Sequence, residues 1–89
     1  GFCERGEGGA FVETGEIDLG GRLPVNTNGG LLSYAHPGNP GALLLAVEGA
    51  RQLRGECGAR QVRDARISLV HAEGGIMSSH GTAILSSEV

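Results

Sequence analysis

His36 is the side chain in this sequence best suited to chemistry. It stands in Tyr34-Ala-His-Pro-Gly38, a few residues before a run of helix formers. A helix N-terminus carries a partial positive charge that attracts anions, and a neutral imidazole beside it can serve as general base towards a thiol or a carbon acid. Pro37 restricts His36 to extended backbone, which fixes where its ring points. A loop histidine that merely hydrogen-bonds the backbone has the same spacing, so the pattern leaves both readings open. Just upstream, Asn26, Asn28, Gly29 and Gly30 are placed to present amide donors to a carbonyl oxygen or a phosphate. Simple turn chemistry is the competing reading, and an Asn-Gly pair favours it. His71-Ala-Glu-Gly-Gly75 ends an apolar stretch with a histidine and two glycines. His71 there faces a pocket and the backbone N–H groups of Gly74 and Gly75 stabilise an oxyanion, or else the segment is a hairpin loop with an incidental histidine.

Other chemistries are excluded by spacing. Three His and two Cys invite a metal, but no pair has ligand spacing on a helix, and Cys3 and Cys57 are far apart. Gly6-Glu-Gly-Gly9 lacks the Gly-Lys-Ser/Thr of a phosphate loop. The net charge of −3, with no basic cluster, argues against a nucleic-acid partner. No apolar run approaches the roughly 20 residues of a membrane span, and no signal segment is visible at the start. The two cysteines suit a reducing compartment, and a cytoplasmic protein is the default.

These residues need elements to hold them. Asn39 and Pro40 read as N-cap and first helical residue of the one convincing helix, spanning 42–57 with Gly58 as its stop. Its apolar positions Leu43, Leu44, Val47, Ala50 and Leu53, widened by Leu45 and Ala46, predict burial on several sides, with Glu48, Arg51, Gln52, Arg54 and Glu56 on the polar face. Leu31 and Leu32 are expected to anchor the preceding loop, 23–41, to a core. Residues 66–72 and 82–87 read as strands within 66–87, joined by a loop over 73–81. Residues 1–22 are glycine-rich and acidic, and predict an extended segment with Ala10-Phe-Val-Glu13 as its one short strand, or else a flexible tail.

The order is loop, helix, strand, loop, strand, an α/β arrangement. Two strands and one helix cannot cover so apolar a helix. An 89-residue chain buries only roughly 60–65% of its unfolded surface. With two Phe, one Tyr, no Trp and 17 Gly, it has little to build a core from. The chain also begins at Gly rather than Met. The expectation is therefore a processed or partial chain whose partner elements lie elsewhere in the same protein or in another subunit.

Taken together, Asn26-Thr-Asn-Gly-Gly30, then His36-Pro37-Gly38, then helix, strand, Gly74-Gly75 turn and closing strand resemble the C-terminal end of the thiolase family. Gly1-Phe-Cys-Glu-Arg-Gly-Glu-Gly-Gly9, Leu23-Pro-Val-Asn-Thr-Asn-Gly-Gly-Leu-Leu-Ser33, Gln52-Leu-Arg-Gly55 and Arg60-Gln-Val62 are similar to its sterol-carrier-protein-X branch, with its thiolase-like lipid-transfer proteins. The resemblance covers nearly the whole chain. It implies a subunit of two similar halves in five layers, of which this chain supplies the last helix, the last two strands and the loop before them. His36 matches the histidine of the family's Gly-His-Pro motif, with Ala35 in place of the Gly, which activates a nucleophilic Cys and helps form an oxyanion hole. That Cys belongs to the first half, and neither Cys3 nor Cys57 sits in its motif. His71 stands where thiolases carry a second acid/base Cys, which points away from thiolysis and towards aldolases of steroid side-chain acyl-CoA thioesters. In that setting Tyr34 is a further acid/base candidate.

The resemblance thus implies an acyl-CoA enzyme that makes or breaks a carbon–carbon bond, in lipid or steroid metabolism. Its catalytic residues would be His36, His71 and Tyr34, with Asn28, Gly29, Gly30, Gly74 and Gly75 lining the substrate and the His36 loop facing His71. Coenzyme A enters only as part of the substrate, with no separate cofactor and no metal. The implied partners are the rest of the subunit, a second copy in a homodimer and a small OB-fold protein. The chain alone is expected to be inactive. The competing expectations are a non-catalytic acyl-CoA- or sterol-binding lipid-transfer protein and a structural α/β module with no site.

Overall fold

The computed structural model describes residues 1–88. Its centre is one helix lying on one hairpin, helix α3 (Gly41–Leu53) on strands β1 (Ile67–Gly74) and β2 (Ser79–Ser86). Before them come two short helices, α1 (Gly8–Glu13) and α2 (Gly30–Ser33), and a 3-10 turn at Gly58–Arg60 links α3 to β1.

The Ala/Leu run of α3 explains why that segment is helical. Its N-cap lies one residue beyond the expected Asn39, and the helix begins at Gly41, one residue before the expected span. Gly38 adopts φ 80° and its carbonyl accepts the Gly41 N–H at 2.9 Å, so Pro40 becomes the N-cap and Asn39 makes no cap hydrogen bond. The helix stops at Leu53, earlier than expected, and the stop is Gly55 rather than Gly58. Gly55 takes φ 71°, its N–H reaches the Gln52 carbonyl at 3.2 Å, and the Glu56 N–H reaches that of Arg51 at 3.0 Å. These paired bonds are the left-handed termination that glycine favours.

The strands are antiparallel and in register from Ile67 opposite Ser86 to Gly74 opposite Ser79. Both extend into the segment expected to be a loop, which leaves a turn over residues 75–78 where Gly75 and Met77 take φ 67° and 52°. Ser68, Val70 and Leu85 face α3, where Gly49 makes close approach feasible. A Cβ on Gly49 would lie 2.7 Å from Ser68 Oγ and 3.3 Å from both Val70 Cγ2 and Leu85 Cδ1.

Residues 8–13 are helical rather than extended. No strand is available to pair with Ala10–Glu13 among the described residues, so local bonds such as Phe11 N–H to Glu7 O at 2.9 Å satisfy that backbone instead. A series of turns then folds the segment back, closed by the Leu23 and Val25 amides on the carbonyls of Glu16 and Ile17.

The buried side of α3 is not its leucine stripe. Gly41, Glu48, Gly49 and Gln52 are its buried residues, while Leu43 and Val47 are 67% and 50% exposed. Glu48 and Gln52, expected on the polar face, therefore lie inside. Leu32 is fully exposed, so it does not anchor the loop as expected; Leu31 lies against Gly41. On the outer side of the hairpin, Ile67, Leu69 and Ile84 are also exposed. Among the described residues Cys57 is the only buried apolar side chain. The hairpin covers one side of α3 and leaves apolar surface bare on both outer faces. No helix among the described residues is long and apolar enough to cross a membrane.

Candidate functional site

The loop ahead of α3 is built from a chain of local hydrogen bonds. Asn26 adopts φ 51° and its carbonyl accepts the Gly29 N–H at 2.8 Å. Asn28 Oδ1 accepts the Gly30 N–H at 2.9 Å. Gly29 and Gly30 take φ 97° and 64°, a left-handed pair that a side chain would strain. Both glycine amides are thus engaged inside the turn. The side-chain amide nitrogens of Asn28 and Asn26 have no hydrogen-bond partner among the described residues.

Tyr34 follows as the C-cap of α2, with its side chain exposed. His36 is exposed as well, and its Nδ1 accepts the Gly38 N–H at 3.4 Å. In a neutral ring so held, the proton sits on Nε2. His36 therefore offers an N–H donor, which suits a developing oxyanion. To act as a base through Nδ1 it must first release Gly38.

The device that fixes this loop lies behind it. Thr27 Oγ1 donates to Glu48 Oε1 at 2.7 Å and accepts from Gln52 Nε2 at 3.2 Å, which pins the turn to α3. Arg60 closes on the same carboxylate, Nε to Oε1 at 3.0 Å and a terminal nitrogen to Oε2 at 2.9 Å. Gln52 Nε2 also donates to the Arg60 carbonyl at 2.8 Å, and Gln52 Oε1 accepts the Val62 N–H at 2.8 Å. Gln61 completes the network, accepting the Cys57 N–H at 3.0 Å and donating to the Gln52 carbonyl at 2.9 Å. The hydrogen bonds from Arg60, aided by those of Thr27 and Gln52, hold the Glu48 carboxyl down to about 2 despite its burial. Burial, with the Glu48 charge beside it, pushes the Cys57 thiol up, away from the thiolate that a nucleophile needs.

Sequence reading did not place Glu48 or Thr27 in this network. The available signal was the Glu48/Gln52 pair at i, i+4 on a helix with apolar residues on every side of its first half.

The second cluster is on the hairpin. His71, Thr82 and His80 share the face turned away from α3, with His71 Nδ1 2.8 Å from Thr82 Oγ1 and His71 Nε2 3.4 Å from His80 Nδ1. Gly74 pairs with Ser79 in the ladder, and its carbonyl accepts both the Ser78 N–H at 3.2 Å and the Ser78 hydroxyl at 3.1 Å. The chain thus presents two groups of candidates. Asn28, Gly29, Gly30, Tyr34 and His36 share one loop; His71, Gly74 and Gly75 share one hairpin. No hydrogen bond joins the two among the described residues, and no cluster of three metal-ligating side chains occurs among them.

Residues 1–87 match the family described as thiolase C-terminal domain-like. The chain is 42% identical over 86 residues to an acetyl-CoA acetyltransferase of Methanothermobacter thermautotrophicus, covering 97% of this chain and 22% of that protein. It is 44% identical over 71 residues to sterol carrier protein 2 of Rattus norvegicus, covering 80% of this chain and 13% of that one. It is 47% identical over 55 residues to the 17-hydroxy-3-oxo-4-pregnene-20-carboxyl-CoA lyase of Mycobacterium tuberculosis, covering 62% of this chain and 14% of the lyase. The chain spans at most 22% of the length of these relatives. A match over residues 1–87 leaves only the last two positions outside it, and the chain belongs to the thiolase C-terminal domain-like family.

Proposed function

We propose that this chain is the C-terminal part of a cytoplasmic thiolase-like enzyme that makes or breaks a carbon–carbon bond next to the carbonyl of an acyl-CoA thioester. The observation that carries the reading is the His36-Pro37 loop pinned to α3 through Thr27 and Glu48, in a chain whose relatives are named as an acetyltransferase of acetyl-CoA and a carboxyl-CoA lyase. Cleavage of such a bond leaves an enolate on the thioester, and the negative charge on its oxygen needs a donor. His36 Nε2–H and Asn28 Nδ2 supply donors there. His71 and the Tyr34 phenol move the proton between the substrate oxygen or carbon and solvent. Gly74 and Gly75 line the hairpin end of the pocket.

Cys57 is not suited to covalent catalysis, and no hydrogen bond ties Cys3 to His36 or His71 among the described residues. Cys57 is buried with its thiol pushed up, and Cys3 sits exposed in the opening segment. Any acyl transfer through a thioester-forming cysteine draws that group from the rest of the subunit, whereas retro-aldol cleavage needs only the acid/base groups named here. The bare faces of α3 and the hairpin are covered by the rest of the subunit and, in a homodimer, by the second copy. A small OB-fold protein is a further partner. The 89 residues alone do not turn over acyl-CoA.

A second reading, a lipid-transfer protein that binds acyl-CoA or sterol without turnover, is favoured by the 44% identity to sterol carrier protein 2. Incubating the protein that contains this chain with a 3-hydroxyacyl-CoA, and separately with a 3-ketoacyl-CoA plus coenzyme A, decides between the two. Enzyme-dependent release of a shortened acyl-CoA supports the enzyme. Stoichiometric binding of acyl-CoA with no product by mass spectrometry supports the carrier and overturns the enzyme.

A further inference from the structure

His80 and Thr82 are absent from the acid/base set above, yet both touch His71. Thr82 stands directly opposite His71 across the hairpin, and His80 opposite Glu73, two pairs nearer the turn. The two imidazole planes lie at 21° to each other with ring centroids 5.5 Å apart. His80 Nε2 lies 3.3 Å from the Met77 carbonyl, and the Met77 N–H donates to Glu73 Oε2 at 2.9 Å.

The proton positions in this string follow from one fixed end. A carbonyl oxygen only accepts, so His80 Nε2 must carry a proton. In a neutral ring His80 Nδ1 is then bare, and it can only accept. The group facing it, His71 Nε2, must therefore be N–H. That leaves His71 Nδ1 bare, and Thr82 Oγ1–H donates to it at 2.8 Å. The string runs Thr82 O–H to His71, His71 N–H to His80, and His80 N–H to Met77 O. Glu73 supports the far end by holding the Met77 backbone, which sits at φ 52° in the turn.

We propose that His80 and Thr82 are positioning residues: His80 holds neutral His71 in its Nε2–H tautomer, and Thr82 fixes its ring plane against the hairpin. The inference rests on the reading that His71 moves a proton in the reaction. Under it, Nδ1 is the basic nitrogen of His71, and the Thr82 hydroxyl is the group that swings aside, or turns to accept, when that nitrogen takes a proton. The Gly75–Ser78 turn thereby acquires a use, since Met77 O is the anchor from which the tautomer is read.

The test uses the protein that contains this chain, with histidine ring nitrogens labelled with nitrogen-15. At a pH where His71 is neutral, wild type should show one His71 tautomer, with a bare Nδ1 and a protonated Nε2. His80→Ala should give mixed tautomers, Thr82→Val should leave the tautomer in place, and each should lower kcat by about 10- to 100-fold with KM within about twofold, while Thr82→Ser restores the rate. A mixed or Nδ1–H tautomer in wild type overturns the proposal, and that measurement needs no variant to fold. An unchanged tautomer in His80→Ala overturns it too. His71→Ala separates the two levels. If that variant keeps full turnover, His71 moves no proton in the reaction and the functional reading of His71 fails, whatever its tautomer.

Discussion

Glu48 offers the sharpest physical prediction. Its carboxyl is held from an ordinary 4.5 down to about 2, first by the Arg60 hydrogen bonds and then by those of Thr27 and Gln52. A carboxylate whose pKa is depressed on folding stabilises the folded state fully above its unfolded value. That stabilisation fades as pH falls through the folded value. The window here is pH 4.5 to about 2. At about 1.4 kcal/mol per pH unit the gap corresponds to about 3 kcal/mol. Glu48 is 8% exposed, but the Arg60 side chain is 33% exposed, so solvent screening brings the expected figure to about 2 kcal/mol. Glu48→Gln keeps the shape and removes the charge. Urea unfolding of both proteins at pH 7, 5, 4 and 3, followed by circular dichroism, isolates the effect, because the other carboxylates titrate in both. The variant should be less stable by about 2 kcal/mol at pH 7, and the difference should shrink steadily below pH 4.5. Parallel stability curves for the two proteins from pH 7 to 3 would refute the network as drawn.

Two further outcomes follow from the packing and the thiols. Gly49→Ala should cost about 1 kcal/mol in urea unfolding, because its methyl meets Ser68 Oγ at 2.7 Å, even though alanine is the better helix former. Ser68→Ala in that background should recover most of the loss, and no recovery would show that Ser68 is not the obstacle. Iodoacetamide on the folded protein should label exposed Cys3 and spare buried Cys57 until denaturant is added. Equal labelling of both thiols would mean that the Glu48 network is open to solvent.

What the sequence disclosed depended on how local the cause was. The α/β order and the existence of α3 were readable because an Ala/Leu run and an Ile/Val run each carry their own period. The Asn26–Gly30 turn was readable as a turn because Asn28 and Gly30 bond to each other two residues apart. Glu48 is the opposite case. Its burial depends on Arg60, which only the 3-10 turn at Gly58–Arg60 brings back beneath the helix, so helical periodicity placed it on the wrong face. The helix at Gly8–Glu13 was missed because Phe11 and Val12 favour strands, and a strand without a neighbour has no ladder to join. Leu43, Val47 and Leu32 were expected inside and lie bare. Their apolarity was legible, but the surfaces that would cover them are not among these residues. Of the candidate site, His36 and His71 were visible as types and spacings. The string through His80 and Thr82 was not, since it depends on cross-strand register.

The central claim is that His36 serves chemistry on an acyl-CoA. It is tested most directly by measuring turnover and acyl-CoA affinity on the same sample of the protein carrying His36→Ala. The account predicts a rate lower by at least about 100-fold with the dissociation constant within about threefold of wild type. Full turnover in that variant would contradict it.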